Sequence, residues 1–198
     1  MHKQFIILIS LIISSLYASS QYRMSMTANY NLPQSTDFKT DFKKGWGGSG
    51  ELHYFIKESG FSVSLIFGLN GYRGTSETEA ALKDSNTTIN DYSYKINYYN
   101  FPLFLAANYT LFQKKKLNIH LGLGIGAIFM EHKEKQTGKY TSSTRSSKFN
   151  EFAIYPSLGL SYEFMKDISF LIKGGYNMTF GERKLQYIDI NAGIFYKI

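Results

Sequence analysis

Between residues 117 and 129 the chain reads LNIHLGLGIGAIF, and every odd position is apolar: Leu117, Ile119, Leu121, Leu123, Ile125, Ala127, Phe129. The positions between them carry Asn118, His120, Gly122, Gly124 and Gly126. A period of two is the repeat of a β-strand, whose successive side chains point to opposite faces; an α-helix would spread these apolar residues around its whole circumference. The run is about twice the five or six residues usual in globular strands. It fits the roughly 9–11 residues that a tilted strand needs to cross a bilayer.

Seven further stretches share this period: Tyr22–Tyr30, about Gly48–Ile56, Phe61–Tyr72, about Tyr92–Tyr109, Phe149–Phe164, Ile168–Phe180 and Tyr187–Ile198. Short connections at Lys57–Gly60, Leu111–Lys116 and Met165–Asp167 alternate with long polar ones at Asn31–Gly47, Arg73–Asp91 and Met130–Lys148, followed by a shorter Gly181–Gln186. Short turns on one side and longer loops on the other are the rhythm of a closed antiparallel barrel in an outer membrane. The expected fold is therefore all-β: an eight-stranded antiparallel transmembrane barrel with both chain ends on the turn side. Within the fourth run, Pro102 lacks the N–H that a sheet ladder uses, so a bulge or a missing ladder bond is expected there. Pro156 makes a similar demand on the sixth.

The first 20 residues stand apart. His2 and Lys3 precede an apolar run from Phe5 to Leu16, then the small residues Ala18, Ser19 and Ser20. This is the layout of a secretory signal peptide, with cleavage expected after Ser20 and the barrel domain over 21–198. Twelve residues are too few for a spanning helix, which needs about 20. With 0 cysteines the chain has no disulfide framework, no thiolate metal site and no acylatable lipoprotein cysteine. Removing Lys3 with the leader leaves 21 basic against 15 acidic residues, near +6. The basic residues scatter over loops and turns and form no basic helix, which argues against nucleic acid.

Alternation alone does not say which face is inside. A soluble lipocalin-like ligand carrier has eight strands with apolar residues inward. Here the polar parity is rich in small residues (Gly122, Gly124, Gly126, Gly159, Gly175, Gly193, Ser62, Ser64), as a narrow lumen requires. The apolar rows end in rings: Tyr99 and Tyr109, Phe129, Tyr162 and Phe164, Tyr196. Such ring-ended rows suit two interfacial girdles. Both features favour apolar faces turned outward to lipid.

The pattern Tyr98-x-x-x-Pro102-Leu103-x-Leu105, followed by a short turn and a glycine-alternating strand, resembles the outer-membrane β-barrel domain family of the Bacteroidetes type. That family includes the PorT-like proteins and is similar in architecture to small OmpA/OmpX-like barrels. Gly193, Tyr196 and Ile198 resemble the C-terminal signal read by the outer-membrane assembly machinery, with Ala192 and Ile198 departing from its usual residues. The resemblance implies a monomer in the bacterial outer membrane, inserted by that machinery and surrounded by outer-membrane lipid and lipopolysaccharide.

The inward parity carries Arg23, Glu51, His53, Glu163, Lys173 and Asp189. Buried charges must be paired and hydrogen-bonded, so these are expected to form a polar network filling the lumen. Eight strands leave room for side chains and hardly for a channel, which argues against a general porin. The expected role is structural or surface-interactive, without enzymatic activity or cofactor. A lipid-modifying enzyme is the alternative; it would need a His, a Ser and a carboxylate at the rim, and His53 and His120 are the candidates. GLGIGA (122–127) lacks the following helix of a phosphate loop. EHKEK (131–135) could offer a metal Glu131, His132 and Glu134, but a solvated charge cluster is the favoured reading and no metal site is expected. The basic residues Lys133, Lys135, Lys139, Arg145 and Lys148 could contact anionic lipopolysaccharide or a surface partner.

Overall fold

Eight strands follow one another around a closed ring, each antiparallel to the next. They are β1 (Tyr22–Pro33), β2 (Gly45–Phe55), β3 (Phe61–Arg73), β4 (Ser93–Lys114), β5 (Leu117–Thr137), β6 (Ser142–Met165), β7 (Ile168–Phe180) and β8 (Gln186–Lys197). The structure, a computed structural model, describes residues 22–56, 59–75, 93–114, 116–137, 142–181 and 185–198. The leader expected over 1–20 and most of the second long connection lie outside these residues.

The ring closes by pairing β8 with β1, with Thr27 opposite Gly193, Ala28 opposite Ala192 and Asn29 opposite Asn191. At this seam a Cβ on residue 193 would run into the Met26 carbonyl, so the close approach of the two strands requires glycine. Only ring closure removes both sheet edges, the condition for a sheet to sit in lipid.

Side-chain exposure settles which way the faces point. Leu65, Leu105, Ile125 and Leu160 are 45, 56, 53 and 42 % exposed, whereas Ser64 and Asn100 are 0 % and Glu51 is 2 % exposed. The apolar rows are therefore outside and the polar rows inside, the reverse of a lipocalin-like carrier. A soluble monomer rarely exposes a contiguous apolar patch above a few hundred Å²; this one runs around the barrel. Rings edge it at both levels. On the turn side Tyr22 and Tyr54 lie 5.1 Å apart and Phe61 and Tyr109 4.6 Å, between centroids. On the loop side Tyr30 and Trp46 lie 4.6 Å apart and Phe152 and Phe180 6.1 Å.

Both prolines interrupt a ladder on one side only. Strands β3 and β4 pair Phe67 with Leu103 and next Asn70 with Asn100, skipping the two positions that include Pro102. On the other side Pro102 stays in register opposite Ile128. Pro156 does the same: Ile154 pairs with Met178, then Ser157 with Gly175. The ring of Pro102 points into the lumen, and a Cβ at Gly68 would come within 3.3 Å of its Cγ. That glycine makes room for it.

Three connections differ from the sequence reading, the smallest change being at Leu111–Lys116, where β4 runs on to Lys114 through a register shift between Thr110 and Phe112. Met130–Lys148 is not a long loop: β5 runs on to Thr137 and β6 starts at Ser142, in unbroken register from Thr137–Ser142 down to Leu117–Tyr162. Above the bilayer both faces of a ribbon are wet, so its residues alternate without an apolar parity and read as loop. Asn31–Gly47 is also shorter, because β1 extends to Pro33 and β2 begins at Gly45. The remainder holds one short helix, α1 (Thr36–Asp41). Phe38 and Phe42, four residues apart and so on one side of this turn of chain, are 3 and 7 % exposed.

Candidate functional site

The lumen is filled in layers. Nearest the turns, the Arg23 guanidinium lies over Phe55 and Phe195, with its Cζ 4.5 and 5.5 Å from the ring centroids. Glu163 and Asp167 are the carboxylates whose field it feels. One level up, Lys173 Nζ donates to Glu51 Oε1 across the barrel, and His53 Nε2 lies 3.1 Å from Glu51 Oε2. Beside them His120 sits between Ser161 Oγ, 2.9 Å from its Nε2, and Thr110 Oγ1, 3.2 Å from its Nδ1.

Asp189 belongs to the next level. Its Oδ2 accepts from the Tyr155 hydroxyl at 2.9 Å and from Asn191 Nδ2 at 2.7 Å. Lys173 Nζ stands 5.3 Å from the Tyr155 ring centroid and so bridges the two levels. Above follows a row of amides. Asn29 and Asn31 both donate to Asn70 Oδ1, at 3.2 and 3.0 Å, and Asn70 Nδ2 donates to Asn100 Oδ1 at 2.9 Å.

The loop-side mouth is aromatic. Phe38 lies 5.0 Å from Tyr72 and 5.4 Å from Tyr98, Phe42 lies 5.1 Å from Tyr98, and Tyr72 lies 6.1 Å from Tyr187, all between centroids. Helix α1 is thus pinned across the opening by Phe38 within it and Phe42 just after it.

Of the residues singled out from the sequence, the structure brings Glu51, His53 and Lys173 into contact. It sets Asp189 one level higher with Tyr155 and Asn191, and leaves Arg23 and Glu163 at the turn-side rim. His120 and Ser161 meet inside the wall, where Ser161 is fully buried, and not at a rim. Glu131 faces outward while His132 and Glu134, 3.2 Å apart, share the opposite face of β5, so the three residues weighed as a metal trio are divided between two faces. Gly193 lies at the seam, Tyr196 faces outward, and the Ile198 N–H donates to the Tyr22 carbonyl at 3.0 Å. Sequence reasoning missed the amide row and the aromatic mouth. The first was visible as Asn29, Asn31, Asn70 and Asn100 recurring on the polar parity; for the second the signal was Phe38 and Phe42 in an otherwise polar loop.

Strands β4, β5 and β6 have 22, 21 and 24 residues, against 11 to 13 for the other five. Above the level of Tyr99, Phe129 and Phe152 these strands still have six, eight and ten residues, which at about 3.4 Å each and a tilt near 40° lift a three-stranded ribbon roughly 15–25 Å beyond the bilayer. On its outward face, just above Phe129, Glu131 is bonded by Lys133 at 3.1 Å and accepts from Ser146 Oγ at 2.9 Å. Lys133, and then Ser146, hold the Glu131 carboxyl below the usual carboxylate range. Lys133 Nζ also stands 5.3 Å from the Tyr99 ring centroid.

Residues 5–197 match the family model described as the outer membrane protein beta-barrel domain. No curated protein sequence matches the chain. Among solved structures, a major outer membrane protein from Thermus thermophilus superposes with a TM-score of 0.57 at 10% identity, covering 89% of this chain and 99% of that one. OprG from Pseudomonas aeruginosa gives 0.57 at 11% identity, covering 89% and 95%. Neisserial surface protein A gives 0.51 at 12% identity, covering 91% and 98%. At these identities the likeness is one of fold.

Proposed function

The chain belongs to the outer membrane protein beta-barrel domain family, and from that premise we propose that it is a closed, non-conducting outer-membrane barrel acting at the cell surface through the β4–β6 ribbon. The observation that carries this reading is that the lumen is crossed at two separate levels while the longest strands stand outside the membrane. At one level Lys173 reaches Glu51 on the opposite wall; at the other Phe38 and Phe42 cover the mouth. An ion entering from either side meets a buried charge pair or an aromatic lid, and an unpaired charge buried there would cost several kcal/mol.

Solute passage is then not the task of this barrel, and the polar network of Glu51, His53, Lys173, Asp189, Arg23 and Glu163 serves to hold the wall together. The same reading makes the protein a monomer that is delivered by its leader and received by the assembly machinery through Gly193, Tyr196 and Ile198. Membership of the Bacteroidetes-type branch rests on the Pro102 strand.

Single-channel recording of the refolded full chain in planar bilayers tests the proposal. The expected trace is flat apart from brief, small events. A large and stable conductance would overturn it.

A further inference from the structure

The ribbon has two faces of unlike charge. Its outward face continues the lipid-facing rows upward: Tyr99, Asn97 and Lys95 on β4, Glu131, Lys133 and Lys135 on β5, Asn150, Lys148, Ser146 and Thr144 on β6. Among the described residues this face carries four lysines and one acid, a net +3. The other face carries Glu134, Arg145 and His132 above the aromatic mouth, and its Glu and Arg cancel.

Register sharpens the contrast. Lys95 stands directly opposite Lys135, a like-charge pair that costs stability in a sheet unless an anion lies near it. Lys148 stands opposite Glu131, which Lys133 already bonds. Lys133 and Lys148 thus share a single carboxylate.

Height matters equally. Lys148 is four residues above Phe152 and Lys133 four above Phe129, about 13 Å of strand in each case and roughly 10 Å of vertical rise at a barrel tilt near 40°. The headgroup layer extends about 5–7 Å beyond the hydrocarbon on each side. Lysine side chains that descend from that height reach it readily. Directly beneath them is a groove between β4, β5 and β6, with Phe101 and Phe129 as its apolar part and Glu131, Lys148 and Asn150 at its upper rim.

We propose that this outward face is a binding site for a phosphorylated glycolipid of the outer leaflet, with an acyl chain in the Phe101–Phe129 groove and its headgroup phosphates on Lys133 and Lys148. Lys95 and Lys135 take the more distal anionic groups. The occupant is a lipid because the charged row and the apolar groove are continuous and the row hangs over the bilayer, which a soluble polyanion would not require. The inference rests on the ribbon standing at the surface; it does not depend on the lumen being closed, so a conducting barrel would leave it intact.

The test uses the refolded full chain in detergent and native mass spectrometry. Three probes are a bisphosphorylated lipid A, the same lipid stripped of phosphate, and the soluble polyphosphate inositol hexakisphosphate. Wild type is expected to retain the bisphosphorylated lipid and to lose it about fivefold per lysine in Lys133→Gln and Lys148→Gln. Arg145→Gln, on the other face, is expected to retain it in full. Heat-modifiable gel mobility reports folding for each variant, and the milder Lys→Arg exchanges are expected to restore retention. Equal retention of the stripped lipid, folded lysine variants that bind like wild type, or inositol hexakisphosphate bound as tightly as the lipid would each overturn the proposal.

Discussion

Strands β1–β3, β7 and β8 stop at the membrane surface, whereas β4–β6 continue six to ten residues beyond it. Both regions obey the same period of two and the same register, yet they are held by different forces. Within the bilayer one parity is lipid-facing, and the other is a buried polar network bonded partly within the wall, as His120 with Ser161, and partly across the lumen, as Lys173 with Glu51. In the ribbon both parities are wet, and pairs such as Glu131 with Lys133 along β5, and with Ser146 across on β6, are solvated. A single fold thus presents an expensive interior and an inexpensive extension, and chemistry can vary in the second without disturbing the first.

The contrast can be tested first at its most costly point. Glu51→Leu strands the Lys173 ammonium in the lumen and is expected to cost about 3–5 kcal/mol, read from urea unfolding in micelles. Adding Lys173→Met should recover most of that loss; a double variant as unstable as the single one would show that the pair is not the source. Next in size is the lipid face. Leu105→Arg, midway along the outward row between Phe101 and Tyr109, is expected to cost about 2–4 kcal/mol, whereas Gln136→Arg in the ribbon should change stability by less than about 0.5 kcal/mol. Equal effects at the two positions would erase the boundary between the two regions.

The mouth lies between them. Phe42→Ala removes one buried ring from the lid and is expected to cost about 1.5–3 kcal/mol in the same unfolding experiment. It should also raise the frequency of brief current events without creating a stable pore, since the Glu51–Lys173 crossing remains. The smallest expected effect belongs to the ribbon itself. Replacing residues 134–145 by an Asn-Gly turn should leave heat-modifiable mobility intact and shift stability by no more than about 0.5 kcal/mol.

This division also explains what can be read from the residues alone. Strand β7 is legible to its ends, Ile168–Phe180, because lipid on one side and a polar lumen on the other impose alternation on every residue. Pro102 is legible as a ladder fault because a missing N–H has the same consequence wherever a strand carries it. The upper halves of β5 and β6 are not, since EHKEKQT has no apolar parity and its pairing with β6 depends on register inherited from the membrane segment below. In the lumen, Glu51, His53 and Lys173 can be assigned to the inside by parity. Which residue meets which cannot, because partners across a barrel, 122 positions apart for Glu51 and Lys173, leave no local trace. The lid escapes for a similar reason: Phe38 and Phe42 are buried against Tyr72, Tyr98 and His132, which stand on three different strands.

The chain has 0 cysteines, so single cysteines can be placed at will and labelled cleanly. Spin labels at consecutive positions from Leu103 to Asn108, in the reconstituted protein, would report collision with oxygen dissolved in the lipid. The inside-out reading expects high oxygen collision at 103, 105 and 107 and low collision at 104, 106 and 108. The opposite alternation, or none, would contradict it.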